Sequence, residues 1–127
     1  MTPHGVIAAS ALLLVLAVAA GAFGAHALRG VLTPDLLAVF HTGVQYHLVH
    51  ALGALAVAIL WLQWPQAARA FRIVCTLLLA GIVLFSGSLY ALAISGVRTF
   101  GALTPLGGMA WLLAWLVLAH TAWRVTR

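Results

Sequence analysis

Phe40-His41-Thr42-Gly43-Val44-Gln45-Tyr46-His47-Leu48-Val49-His50 runs without a break into Ala51-Leu52-Gly53-Ala54-Leu55-Ala56-Val57-Ala58-Ile59-Leu60. The first part holds three of the chain's six histidines, a glutamine and a tyrosine, and the second has no polar side chain. A polar half-helix fused to an apolar one needs surroundings that are themselves apolar. The rest of the chain supplies them. Of 127 residues 65% are hydrophobic and 6% charged, and the mean hydropathy is +1.18. A soluble domain covers its surface with about 25% charged residues. Six arginines and one aspartate cannot do that, so the solvent around most of this chain is lipid.

The formal charge of +5 does not point to nucleic acid. The arginines (Arg29, Arg69, Arg72, Arg98, Arg124, Arg127) stand singly or in pairs between apolar blocks, which is how loop charges mark membrane topology. A nucleic-acid footprint is a clustered basic face, and no nucleic-acid partner is expected. Cys75 is the single cysteine and lies within an apolar run, so neither an intramolecular disulfide nor a CxxC redox pair is available. It reads as a small packing residue.

An all-α bundle of four transmembrane helices in one domain, 1–127, is expected, with crossings near 6–27, 44–64, 73–95 and 105–123. Residues 1–5 hold no Lys or Arg, so the first block reads as a retained helix and not as a signal peptide. Thr33-Pro34-Asp35 reads as a helix start, with Thr as N-cap, Pro at the first position and Asp facing the positive end of the dipole. From Asp35 to Trp64 the helix would be about 45 Å long, beyond a hydrocarbon core of about 30 Å. Either 34–43 is an interfacial helix or the whole helix is tilted and protrudes. Trp61 and Trp64 are placed at the far interface. Gly30-Val31-Leu32-Thr33-Pro34 recurs as Gly101-Ala102-Leu103-Thr104-Pro105. Two pseudo-repeated hairpins would explain it; so would two uses of a good helix start.

Arg69, Arg72, Arg124 and Arg127 outnumber Arg29 and Arg98 on the other face, which places both termini in the cytoplasm. Counting about 1.5 Å per residue from the inner end of each crossing puts His26, His47, His50, Ser86 and Tyr90 in one layer of the outer half. At about 100° per residue Tyr46, His47 and His50 share a side with Gly43 and Gly53, while His41 and Gln45 point away. Ser86 and Tyr90 share a face of the third crossing, as do Gly81 and Ser88. The candidate buried polar patch or ligand site is therefore His26, Tyr46, His47, His50, Ser86, Ser88 and Tyr90. Gly21, Gly24, Gly43, Gly53, Gly87, Gly107 and Gly108 are expected to let the helix backbones approach closely. The patch serves either as hydrogen-bonded glue fixing helix register or as a ligand or proton site.

Several chemistries are disfavoured. A metal needs three or four His, Cys, Asp or Glu ligands in one place, and the patch offers His47, His50 and His26 without a carboxylate or thiol at that depth. Haem would need His26 opposite His47 or His50. No resident cofactor or metal is expected. No carboxylate lies within a crossing to couple proton-driven export, and no nucleophile–base pair with an orienting acid is visible, so an enzyme is not expected.

Four ordered motifs are left: Gly21-Ala22-Phe23-Gly24-Ala25-His26-Ala27-Leu28; Thr42-Gly43-Val44-Gln45-Tyr46-His47-Leu48-Val49-His50-Ala51-Leu52; Phe85-Ser86-Gly87-Ser88-Leu89-Tyr90-Ala91-Leu92; and Leu103-Thr104-Pro105-Leu106-Gly107-Gly108. Together they resemble the family called domain of unknown function 423, which has a eukaryotic relative called transmembrane protein 256. The resemblance covers essentially the whole chain. It implies four transmembrane helices and a bacterial inner membrane, and no activity. The leading functional expectation is a non-enzymatic accessory or assembly protein, packing with itself or with a larger membrane complex. The alternatives are a small-molecule or lipid binder or carrier that uses the polar patch, and a haem or metal protein.

Overall fold

A computed structural model of the chain describes residues 1–125. Arg127, counted above among the inner arginines, lies outside the described residues. Four helical spans are long and apolar enough to cross a membrane: Pro3–His26, Pro34–Gln63, Pro65–Ser95 and Arg98–Val125. Helix α1 (Pro3–His26) starts because Thr2 is extended and its hydroxyl accepts from the Gly5 N–H at 3.2 Å, with Pro3 at the first position. Helix α2 (Pro34–Gln63) starts the same way, with Thr33 accepting from Leu36 N–H at 3.4 Å and Asp35 in the first turn. It runs unbroken, so 34–43 continues directly into the crossing and there is no separate element ending at Gly43.

The third span is composite. A short 3-10 turn (Pro65–Ala67) leads into α3 (Ala68–Gly81), then a π-helical segment (Ile82–Gly87), then α4 (Ser88–Ser95). Gly96 closes it with φ 71°, a left-handed conformation that glycine adopts without steric cost. A second 3-10 turn (Arg98–Leu103) feeds α5 (Thr104–Val125). The two Thr-Pro pairs therefore play different local roles. Thr33 is an extended N-cap, whereas Thr104 is already helical (φ −55°, ψ −45°) and sends its hydroxyl to Ser88 Oγ at 2.9 Å.

Helix α2 is the hub. It packs against α1, α3, the π segment and α4, while α5 packs against α3 and the π segment. Helix α1 has extensive contact with α2 alone. The larger core joins Ala51, Ala54, Val57, Ala58 and Trp61 of α2 to Phe71, Val74, Cys75 and Leu78 of α3, with Val6 and Trp111 closing it. Trp61 is thus not an interface marker. It is 5% exposed, because it continues the face of Ala54, Val57 and Ala58, whose small side chains leave room for an indole. Trp64 is the residue beyond the end of α2, half-buried and stacked near Phe71 with ring centroids 6.3 Å apart. A smaller cluster near the α1–α2 turn holds Leu28, Phe40, Val44 and Ala93. Leu12, Val15, Leu16 and Val18 of α1 and Met109, Leu112, Leu113 and Leu116 of α5 face outward. Apolar surface of that extent suits lipid and not water.

Candidate functional site

The polar residues in the half of the bundle nearer the α1–α2 turn do not form one patch. They form three separate links, two between elements and one within α2. His47 on α2 meets Tyr90 on α4, with Nδ1 and the phenol oxygen 3.2 Å apart. Ser88 at the start of α4 donates to the Phe85 carbonyl at 2.8 Å and meets Thr104 of α5 at 2.9 Å. His50 pairs within its own helix, its Nδ1 lying 2.9 Å from the Tyr46 carbonyl oxygen. Ser86 Oγ and His47 Nε2 are buried without a hydrogen-bond partner, as is Ser10 Oγ on α1. With Gly43 against Tyr90 in this antiparallel pair, Ser86 lies at the level of His47, one turn further along each helix.

Two residues expected in the patch lie outside it. His26 is exposed at the last position of α1. The buried face of α1 runs through Ala17 and Gly24, and a residue two positions beyond Gly24 is turned to the opposite side. Tyr46 is 42% exposed, whereas His47 and His50 are 5% and 6% exposed. It sits at the rim, its ring parallel to Trp111 (7°) at 5.7 Å. His26 is therefore not available to pair with His47 or His50 across helices. Among the described residues no three His, Cys, Asp or Glu side chains come together.

The glycines divide in the same way. A Cβ at Gly24 would lie 3.0 Å from the Phe40 ring and 3.2 Å from His41 Cε1; His41 itself is exposed, away from buried His47 and His50. At Gly43 it would meet the Tyr90 ring at 2.9 Å, and at Gly53 the Trp115 ring at 2.7 Å. At Gly107 it would lie 2.5 Å from the backbone nitrogen of Phe85. Gly21 makes a looser contact with Val44 at 3.4 Å. Gly108 (3.9 Å from the Phe85 ring) and Gly87 (4.0 Å from the Ile82 carbonyl) are not close-approach positions. Gly81, absent from the expected packing set, has no room for a Cβ beside the Trp111 indole.

The residues that sequence reasoning missed are aromatic. Trp111 on α5 donates its indole N–H to the Leu78 carbonyl at 3.1 Å, just before the π segment, and its ring stacks on His50 (centroids 3.5 Å apart, planes 4° from parallel). Phe85 packs against both Tyr46 and Trp111 at 4.7 Å. The available signal was Trp111 itself, since an indole N–H inside an apolar crossing must find an acceptor. Tyr46, His50, Phe85, Trp111 and Trp115 line a groove of about 260 Å³ between α2 and α5. A backbone carbonyl can only accept, so His50 Nδ1 carries the proton and donates to Tyr46. In the neutral ring Nε2 is then an acceptor, and among the described residues it has no hydrogen-bond partner where the histidine borders the groove.

Four apolar spans around buried polar links define a multi-pass helical membrane protein. Its residues 20–108 match the family model described as "Protein of unknown function (DUF423)", and the chain belongs to that family. It is 47% identical over 111 residues to the UPF0382 membrane protein YwdK of Bacillus subtilis, covering 85% of this chain and 87% of the relative. It is 39% identical over 107 residues to a UPF0382 membrane protein of Haemophilus influenzae, covering 84% of each. The UPF0382 inner membrane protein YgdD of Escherichia coli is 35% identical over 117 residues, covering 87% of this chain and 82% of the relative. No solved structure matches.

Proposed function

We propose that this is a non-enzymatic bacterial inner-membrane protein, both termini cytoplasmic, that binds a small amphiphile in the groove between α2 and α5. The address follows the E. coli relative's description and the arginine distribution. The observation that carries the binding reading is His50: one ring nitrogen is committed to the Tyr46 carbonyl, and the other is a free acceptor bordering an aromatic groove. An unpaired acceptor in lipid favours any partner that brings a donor. The flat rings of Phe85, Trp111 and Trp115 favour an aromatic head, and the groove's open side favours an apolar tail lying in the bilayer. The ligand class is a lipid-soluble phenol or hydroquinone.

The test uses 4-octylphenol and its methyl ether, which differ only in the hydroxyl donor. Binding to the protein in nanodiscs is read by tryptophan fluorescence against empty nanodiscs. The phenol is expected to bind saturably and about tenfold more tightly than the ether, the worth of one hydrogen bond to a buried acceptor. His50→Phe, which keeps an aromatic ring there, should erase the difference. Equal binding of the two compounds to the wild-type protein, or no saturable binding of either, would sink the idea.

A second reading, an accessory or assembly role with a second copy or a larger membrane complex, is favoured by α1. That helix makes its extensive contact with α2 and turns Leu12, Val15, Leu16 and Val18 outward. The native thiol Cys75 is buried. A cysteine at Leu16 should therefore cross-link to a discrete adduct in native membranes, while one at the outward Val83 of the π segment should not. Monomer from both would end this reading.

A further inference from the structure

At the end of the bundle opposite Asp35, a second groove of about 360 Å³ opens between the start of α3 and the last turns of α5. Gln66, Arg69 and His120 are the polar residues around it, and Ala70, Ile73 and Val117 its apolar wall. Arg124 donates from Nε to His120 Nε2 at 2.9 Å, one turn apart on α5. Because Nε2 accepts, the His120 proton is on Nδ1, which leaves an N–H donor. The guanidinium of Arg124, held by that bond, keeps its terminal N–H groups for another acceptor. Thr121 does not contribute, since its hydroxyl is spent on the Val117 carbonyl at 2.7 Å. The start of α3 carries no side-chain cap, so its positive end lies in the same region.

Nothing described here neutralises this set. The sole side-chain carboxylate of the protein is Asp35, in the first turn of α2, whereas the groove lies beyond the far end of that helix. Two guanidinium groups and an imidazole N–H beside an apolar wall match a ligand with an anionic head and a hydrocarbon tail. A zwitterionic headgroup brings no net charge to Arg69 and Arg124. Free phosphate would leave Ile73 and Val117 unused.

We propose that the groove between the start of α3 and the end of α5 binds one anionic phospholipid, its phosphate on Arg69, Arg124 and His120 Nδ1–H and an acyl chain along Ile73 and Val117. The site is separate from the α2–α5 groove and holds whether or not that groove takes a phenol.

The full chain in mild detergent is titrated with phosphatidylglycerol or with phosphatidylcholine of the same acyl chains, and retained lipid is counted by native mass spectrometry. One phosphatidylglycerol should be retained, preferred over phosphatidylcholine by about tenfold or more, as two nearby arginines predict. The same lipid should raise the Tm, and inorganic phosphate should not. The double variant Arg69→Gln/Arg124→Gln should lose the preference, while Arg29→Gln/Arg98→Gln, at the other end, should keep it. Equal retention of the two lipids by the wild-type protein overturns the proposal without reference to any variant. So does stabilisation by phosphate equal to that by phosphatidylglycerol, which would make the site one for simple anions. An undiminished preference in the Arg69/Arg124 variant, or its loss in the Arg29/Arg98 variant, does the same.

Discussion

Replacing Gly107 with valine should cost about 3 kcal/mol or more, toward the upper end for overpacking a tight interface. The reason is what a new Cβ would meet: Phe85 N at 2.5 Å, Phe85 Cβ at 2.7 Å and Phe85 Cα at 2.9 Å. A side-chain tip can swing aside, but these atoms belong to the π segment's own backbone and cannot yield without moving two helices. Gly108→Val is the control. Its Cβ would rest in ordinary contact with the Phe85 ring at 3.9 Å, and its stability should stay within about 0.5 kcal/mol of the parent. The unfolding midpoint in mild detergent decides the matter. Equal destabilisation of the two variants would show that α5 and the π segment are not in backbone contact.

Trp111→Ala should be as severe, about 4 kcal/mol, the usual scale for emptying a large aromatic site. Three functions are lost together: the indole over His50, the contact that fills the space above Gly81, and the hydrogen bond to the Leu78 carbonyl. Trp111→Phe separates them. It retains a ring for the stack but removes the N–H. The Leu78 carbonyl keeps a bond from Ile82 N–H, so the loss should be only about 1 kcal/mol. A phenylalanine variant as unstable as the alanine variant would place the weight on the hydrogen bond and not on ring packing. The same unfolding measurement reads both.

The architecture is legible in the sequence because each boundary has a local cause. Thr2-Pro3 and Thr33-Pro34 start helices by capping, Gly96 stops one, and single arginines punctuate apolar blocks long enough to cross. The burial of His47, His50, Ser86 and Ser88 also follows from depth and angle. What failed has a common physical origin. A helical wheel gives a direction but not the neighbour that lies there. Whether His26 and Tyr46 face inward depends on their neighbours: α1 packs mainly on α2, and α5 approaches α2 through Trp111 and Trp115. Trp61, expected at the far interface, is buried, and Trp111 fills the space that Gly81 leaves open. The π segment has no signature, since Ile82 to Gly87 contains no proline and its first residues are as apolar as any α-helical stretch here.

That segment changes which side chain is sealed at one level of the crossing. Below it the interior positions are Phe71, Val74, Cys75 and Leu78, and at about 3.6 residues per turn an uninterrupted helix would next turn Ile82, Phe85, Leu89 and Ala93 inward. Above it the sealed positions are Ser86, Leu89 and Ala93, with Ser88 beside them. Leu89 and Ala93 keep the inward places of an uninterrupted helix, and the wider turn exchanges Phe85 for Ser86, one position or about 100° along. The lower half can therefore present an oily seam to α2 while the upper half presents hydroxyls, and Phe85 is freed to reach Gly107 and Tyr46. One crossing thus carries an oily stretch and a polar one on the same side, joined at the depth where Trp111 bonds to Leu78.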